Sequence, residues 1–544
     1  MTPGGRWTHF FLVALAALLP SLRVLQGDFV ADDFGCLRLW GEKPLREFLV
    51  FGDISEGIWG IPLDEARPVD ALSFRLGHWI SGADASGHLG LALAFHVACS
   101  LLVFALTRLA CPGAPPRAAV AAGMLFAVHP VHAEAIAWVS GKVDSLATLF
   151  YLACLALYLR WRVSGSRLAY AAAVLLFGLG LLAKEVLLTL PALLVGADLL
   201  LGPAGPPRAR LLRVLRGARA YAPFAVLAAS YLLARRWAFG SAAREQRFDS
   251  GLSAAILERQ AFQLGELFAP APAWATLLLA ASAATALVLL ARDRDAARRV
   301  ALPCLLFGFF FYGVTSAPLV LTYLSARHLY LPSAGLAIAA GLLLHAADRA
   351  RFARVLVLVG ALCALTPALY ARELAWIDAG RESRRLRSAV EEATRDLPLG
   401  AIVILWGVPA TSGEVLAWRA ALPFALEQPF VARDVASSLR LIESPDLYCC
   451  PVSRWWLARA ATLDFLETGP ADESVVVHLL EWKPESGRLV RRDAALRRAA
   501  LRERLERAGL SGAERGRGLK DAGRLVSVLA QAARTAPRAR EERR

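Results

Sequence analysis

Residues 89–109 read LGLALAFHVACSLLVFALTRL, with Arg108 as the one charged side chain and that at the far end. A run of this length crosses the roughly 30 Å hydrocarbon layer as one helix. Similar blocks of roughly 18–25 apolar residues recur through the first two thirds of the chain. Ala, Leu and Val dominate them. Strands of a membrane barrel would alternate apolar and polar residues in segments of about ten. The chain is 57% hydrophobic over 544 residues, more than a soluble protein of this size carries. The expected fold is therefore a polytopic α-helical membrane protein.

Spans are expected near 8–27, 89–109, 118–136, 145–162, 168–184, 186–202, 221–238, 273–291, 300–317, 329–347 and 354–371, about eleven in all. The first apolar run, from Phe10, shows no small-x-small cleavage site before Gly27 and reads as a retained span rather than a signal peptide. The net charge of +15 invites a nucleic-acid reading. However, the basic residues are nearly all Arg and many sit in short links between blocks: Arg108 and Arg117; Arg160, Arg162 and Arg167; Arg208 to Arg219; Arg292 to Arg299; Arg349 to Arg354. That pattern marks cytoplasmic loops, so no nucleic-acid partner is expected.

With the N-terminus inside, the segments 28–88, 129–144, 184–186, 239–272 and 318–328 and everything from 372 onward face outward. The expected organisation is a membrane unit at 1–371, whose first outer loop is 28–88. A small extracytoplasmic α+β domain follows at 372–490, with strand-like runs at 401–406 and 474–480. A basic helical tail fills 491–544. That tail carries Arg491, Arg492, Arg497, Arg498, Arg502 and Arg504 and reads either as a solvated helix or as one resting on anionic lipid. An Ala- and Arg-rich composition fits a bacterium of high genomic GC content, which places the chain in an inner membrane with a periplasmic outer face. The eight Cys show no metal-ligand spacing. Cys99, Cys154, Cys304 and Cys363 read as buried small residues, and Cys449 and Cys450 as two free thiols.

The outward turns hold ionisable groups where the bilayer makes them costly. Asp32 and Asp33 follow the first span. Adjacent carboxylates repel, so one pKa should rise, which suits a general base; the plainer reading is a helix N-cap. His129, His132 and Glu134, with Trp138, Lys142 and Asp144 following, suit a metal, or a phosphate or sugar held by hydrogen bonds; the alternative is interfacial helix ends. Lys184 and Glu185 read equally as an internal ion pair closing a tight hairpin or as a specific ammonium site. Only five Lys occur in the chain, at 43, 142, 184, 483 and 520, and two fall in these turns. Arg327 and His328, near Tyr330, stand on the outer side against the charge trend; an Arg there grips a phosphate or merely snorkels. No Walker or dinucleotide loop and no nucleophile elbow occurs. Acids on one loop and cations on others, all on one face, suit a hydroxyl nucleophile and an anionic leaving group.

In this order, Phe29–Phe34, Arg67-Pro68 with Ser73–Leu76, His129–Asp144, Ala183–Glu185 and Arg327–Gly335 resemble the membrane part of the transmembrane and tetratricopeptide-repeat O-mannosyltransferases and their bacterial relatives. These are members of the GT-C class of glycosyltransferases. The likeness covers roughly residues 8–375, and its most specific piece is His-Pro-Val-His-x-Glu-Ala with Trp-Val-Ser-Gly-Lys-x-Asp after it. It implies a GT-C fold, a polyprenyl-phosphate-linked sugar as donor, a hydroxyl acceptor on protein, lipid or glycan, and an inverting transfer. Asp32 or Asp33 would be the base. Arg67, His129, His132, Glu134, Lys142, Lys184, Glu185, Arg327, His328 and Tyr330 would line the donor phosphate. The resemblance implies no certain cofactor, and a divalent metal stays open. Where the family has Arg-Ala-Asp and Arg-Tyr-Leu-Tyr, this chain has Lys142-Val143-Asp144 and Arg327-His328-Leu329-Tyr330; both keep a cation. No repeat of about 34 residues follows. The rival readings are a transporter or flippase, which needs polar groups at mid-bilayer, and a relative that binds its lipid without turnover.

Overall fold

A computed structural model describes residues 3–41, 66–240, 252–268, 302–346 and 351–397, save 204 and 323, and shorter runs within 402–441 and 476–497. The first helix is α1 (Pro3–Leu18); α2 (Asp33–Trp40) starts within the acidic pair, with Asp32 at its N-cap. Helix α3 (Pro68–Ser81) starts on its proline, whose missing N–H costs nothing in a first turn. Then come α4 (Ala85–Ala110), α5 (Pro116–Ala127), a short α6 (Ala133–Ala137) and α7 (Lys142–Ser164). They are followed by α8 (Arg167–Leu181), α9 (Leu190–Leu200), α10 (Pro207–Arg216), α11 (Ala222–Phe239) and α12 (Leu252–Phe268). The bundle closes with α13 (Leu302–Ser316), α14 (Tyr330–Ala346) and the long α15 (Arg351–Thr394).

Among the described residues, five helical stretches are long and apolar enough to cross a bilayer: Ala85–Ala110, Lys142–Ser164, Leu302–Val320, Ala326–Leu344 and Arg354–Thr394. Large apolar side chains such as Trp237 (86% exposed) and Leu168 (81%) point outward, as a lipid-facing surface requires. The span expected at 118–136 is not continuous. It breaks into α5 and α6 with a bend of 51°. Pro130 lies at the break; its ring removes a backbone donor and clashes with the preceding turn. The runs expected at 168–184 and 186–202 are short helices joined through a 3-10 turn, Glu185–Thr189. The span expected at 273–291 lies outside the described residues, as do Cys449 and Cys450. Cys304 is not a lone buried thiol: it is joined to Cys111 in a disulfide, and Cys363 is exposed rather than buried.

The expected boundary at 371/372 falls inside a single helix. α15 runs through it for 44 residues, carrying Pro367 in its interior, and packs against a small sheet. The strands are β1 (Ile402–Trp406), β2 (Thr411–Ser412), β3 (Val415–Leu416), β4 (Leu439–Leu441), β5 (Val476–Lys483), β6 (Arg488–Arg491) and β7 (Leu496–Arg497). In the main sheet β1 lies between β4 and β5, parallel to both, while β6 and β7 pair antiparallel with β5. Arg491 and Arg497 are therefore strand residues, where a helical tail was expected from 491; the residues after 497 lie outside the described ones.

Val403, Leu405, Leu480 and Trp482 from the sheet, Leu386 and Val390 from α15, and Trp418 bury their side chains in one cluster. That cluster continues without a break into Phe29, Phe34 and Trp40 beside the acidic pair. The C-terminal unit and the first loop thus share a core, so the sheet helps to set where the acids stand.

Candidate active site

The acid loop is fixed from both ends. Asp28 accepts from Arg384 Nε and Arg387 Nη2, each at 2.7 Å, and its other oxygen takes the N–H of Phe29 at 2.7 Å. Ala31 adopts φ 48°, a left-handed conformation that favours glycine. Its N–H is held by the carbonyl of Ala417 at 2.7 Å. This turn directs Asp32 and Asp33 differently. Asp33 is fully buried: Oδ1 accepts from Ser140 N at 2.8 Å and Ser140 Oγ at 2.6 Å, and Oδ2 from Val30 N at 2.9 Å. Burial lifts its carboxyl from 3.8 to about 7, against the lowering pull of those hydrogen bonds. Asp32 is only half-buried. It occupies the N-cap position of α2, yet its side chain makes no capping bond.

The turn 138–144 touches both the acid loop and the Lys184–Arg327 part of the site. Ser140 binds Asp33. Lys142 is wholly buried, donates to the carbonyl of Val139 at 3.1 Å and lies 3.1 Å from the centre of the Phe74 ring. Its charge acts on both Asp33 and Asp70. Asp144 pairs with Lys184 and, at 3.4 Å, with Arg327 Nε. Trp138 stacks on Trp376 of α15 with ring centres 5.2 Å apart, and the Arg327 guanidinium lies 4.6 Å above it. The turn closes this tightly because of Gly141. A Cβ there would stand 2.3 Å from the carbonyl of Glu134.

The cations form a mesh with carboxylates. Glu134 accepts from Ser325 Oγ at 2.8 Å and lies 3.8 Å from Arg327 Nε. Glu185 binds Arg67 at 3.0 Å and Arg235 at 3.2 Å. Lys184 and Glu185 therefore do not pair with each other, as a hairpin clasp would need; each reaches a different partner. Arg327 does not snorkel, since it is only 7% exposed. His328 lies within electrostatic reach of Lys184, Asp144 and Arg327. The Arg67 and Glu185 side chains are the more open end of the mesh, at 21% and 29%, against 9% for both Arg327 and Asp144.

The remaining expected residues sit apart. His132 Nε2 bonds Ser333 Oγ at 2.9 Å and packs against Phe126 and Tyr330. Tyr330 OH meets His96 Nδ1 at 2.8 Å. All five are buried among α4, α5 and α14. His129 turns back on its own chain and accepts the N–H of Val131. His129, His132 and Glu134 do not converge, and among the described residues no group of three metal-binding side chains does. The set does not fit a metal. Sequence reasoning missed Asp70, which is buried and lifted above its ordinary pKa by that burial, with Lys142 and Arg67 pulling it back. It also missed Ser140, Arg235 and Arg387. Ser140 lies inside the quoted Trp-Val-Ser-Gly-Lys motif, and Asp70 gave a signal easily read otherwise: an acid in the first turn after Arg67-Pro68 looks like an ordinary helix start.

No family model matches the chain. Over 225 residues it is 37% identical to the protein O-mannosyl-transferase Tmtc2 of Drosophila melanogaster, which covers 37% of this chain and 22% of that one. Over 160 residues it is 31% identical to TMTC4 of Mus musculus, covering 26% and 21%. The chain thus spans about a fifth of the length of these relatives. Its structure matches the crystal structure of ArnT from Cupriavidus metallidurans with a TM-score of 0.51 at 14% identity, over 89% of this chain and 94% of that one. ArnT has also been solved bound to undecaprenyl phosphate, with the same degree of match. The chain has the GT-C glycosyltransferase fold. Within that fold, its sequence relatives are the O-mannosyltransferases just named, as the motifs led one to expect.

Proposed function

We propose that this protein transfers a sugar from a polyprenyl-phosphate donor to a hydroxyl acceptor at the outer face of a membrane, with inversion at the anomeric carbon. One observation carries the reading. The single turn 138–144 joins the acid loop, through Ser140, to the cation mesh, through Asp144 and Trp138. An acid and a set of guanidinium and ammonium groups are thereby tied to one seven-residue segment. The sequence kinship and the shared fold support the same chemistry, since the ArnT structure binds undecaprenyl phosphate.

Asp32 is the base in this scheme. A base must reach the proton it removes, and geometry comes before pKa in that choice. Asp33 spends both oxygens on Val30 and Ser140 and serves to hold the loop. The acceptor oxygen attacks the anomeric carbon from the face opposite the phosphate, and the carbon–oxygen bond to phosphate breaks. Asp32 takes the hydroxyl proton, and polyprenyl phosphate leaves as an anion. Arg327 and Lys184, pre-oriented by Asp144, meet the growing charge on phosphate, with Arg67 and Glu185 at the open end. Such preorganised donors act on charge that develops in the transition state, and removing one costs on the order of 10²–10³ in rate.

The test uses purified protein in nanodiscs with a panel of radiolabelled polyprenyl-phosphate sugars, mannose among them, and a panel of hydroxyl acceptors. Wild-type turnover that is abolished by Asp32→Asn and only reduced by Asp33→Asn supports the assignment. Full activity in a correctly inserted Asp32→Asn variant refutes the base. Absence of wild-type turnover with every donor sugar refutes the transferase reading itself.

A further inference from the structure

Three hollows follow one another along the C-terminal half of α15, and adjoining ones share lining residues. The largest, about 650 Å³, lies between α15 and β6. Arg385, Ser388 and Glu392 form its helical wall, and Arg488 and Leu489 form its strand wall. Gly487, at φ 60°, turns the chain into that strand. A second hollow of about 300 Å³ adjoins it through Arg385 and Gly487. A third of about 250 Å³ shares Arg384 and Ser388 and reaches Asp28, in the same loop as Asp32.

Two features of the largest hollow point to a ligand. Arg385 and Arg488 are both exposed and face it from opposite walls, and among the described residues neither side chain has an ion pair or hydrogen bond. Their neighbours are committed elsewhere: Arg381 to Asp378, Arg384 and Arg387 to Asp28, Arg491 to His478. The second feature is backbone. β6 is hydrogen-bonded to β5 on one side, and among the described residues no strand lies on its other side. An open edge offers alternating N–H and C=O groups to an extended chain, whose side chains then fall on the two faces in turn. Val490, 37% exposed, adds an apolar contact to that edge.

We propose that this hollow receives an extended acidic polypeptide segment, which adds as a strand along β6 and sets its carboxylates against Arg385 and Arg488. Guanidinium groups match carboxylates in bidentate geometry. Glu392 at the helical wall rejects a uniformly acidic polymer and limits the match to isolated acids. That the segment is an acceptor rests on the transferase reading; its binding does not.

The test is binding to the full chain in nanodiscs, without donor, read by fluorescence anisotropy. The probe is a nine-residue peptide alternating Thr and Glu. Three comparisons accompany it: the Thr–Gln analogue, an N-methylated Thr–Glu analogue lacking alternate main-chain donors, and an oligogalacturonate of similar charge. The expected result is saturable binding of the Thr–Glu peptide, weakened at least tenfold by glutamine, by N-methylation and by the double variant Arg385→Ala with Arg488→Ala. The charge-reversed pair Arg385→Glu with Arg488→Glu should instead bind a Thr–Lys peptide. Both arginines are exposed, so the variants should melt with the wild type. The proposal is overturned if the peptide does not bind, if glutamine or the double variant leaves binding unchanged, or if N-methylation has no effect. It is equally overturned if the oligogalacturonate binds as well and competes, since the site would then take an anionic glycan. Binding without wild-type turnover would leave this inference standing and remove the transferase reading; turnover without binding would do the reverse.

Discussion

Replacing Arg387 with Ala should cut turnover far more than replacing Arg384, although both bind the same oxygen of Asp28 at 2.7 Å. Arg387 has 10% of its side chain exposed and Arg384 has 64%. Arg387 also donates to the carbonyl of Phe430 at 3.3 Å and lies 5.2 Å from the centre of the Phe34 ring. Removing one partner of a buried ion pair costs about 3–5 kcal/mol, because the other charge is left uncompensated. Here Arg384 stays to share Asp28, so the lower end, about 3 kcal/mol, is expected. An exposed pair such as that of Arg384 is worth about 1 kcal/mol or less. Asp28 anchors the loop that carries Asp32, so the loss should fall on the alignment of that proposed base. If most of it appears as a smaller aligned population, kcat drops roughly 10- to 100-fold, at tenfold per about 1.4 kcal/mol. Donor KM should hold, because the cation mesh is untouched. Arg387→Lys should restore part of the rate, and Arg384→Ala should change it less than about fivefold. The assay is release of polyprenyl phosphate per inserted molecule, with melting temperature measured in parallel. Equal losses for the two Ala variants would refute the argument. So would an Arg387→Ala enzyme that melts early yet turns over normally per folded molecule.

Gly141→Ala should be among the most disruptive single-methyl additions in the chain, since the new carbon would meet the Glu134 carbonyl at 2.3 Å, whereas Gly265→Ala meets nothing within 4 Å; thermal unfolding in detergent compares them. Ser140→Ala removes the hydroxyl donor to Asp33 but keeps the backbone N–H, so it should cost about 1 kcal/mol of stability and a few-fold in rate. Asp33 has a raised folded-state pKa, about 7 against 3.8, so its contribution to stability is fully present below pH 3.8 and is lost as pH rises through about 7. Asp33→Asn should therefore gain on the wild type as pH is raised from 5 to 8. Melting curves across that range check the sign, and a constant difference would contradict it.

Much of the membrane unit was legible because lipid imposes a simple rule: a run such as 89–109 has few alternatives to a spanning helix. The break at His129–Pro130 was harder to see, because apolar residues resume at Ala135–Ala137 beyond it; Pro130 and the polar groups His129, His132 and Glu134 mark it. The acids, the cations and the 129–144 segment were all recognisable as polar groups in costly places. What sequence could not supply was their pairing. Lys184 and Glu185 are adjacent in the chain, yet they point to Asp144 and to Arg67 and Arg235, because partner choice depends on helix rotation in the packed bundle. His132 and Tyr330 read as site residues from their neighbours and from the family resemblance, and in the packed structure both side chains lie in the interior. The C-terminal unit was the least legible part. Its sheet is mixed, its short strands are far apart in sequence, and its core is completed by Phe29 and Phe34 from the other end of the chain.

The unbroken α15 has a mechanical consequence. Its 44 residues make a rod about 66 Å long, roughly twice the thickness of the hydrocarbon layer. One end is seated among lipid-facing helices, and the other carries Arg384 and Arg387, which grip the loop of the two acids. A rod of this kind converts tilt into displacement. A membrane that is thinner or thicker than the apolar part of α15 changes its tilt, and a rotation of a few degrees at the bilayer becomes a shift of an ångström or more at Asp28. On the proposed function, the geometry at Asp28 and Asp32 is referenced to bilayer thickness, and turnover should then change with the chain length of the bulk lipids even at constant donor concentration.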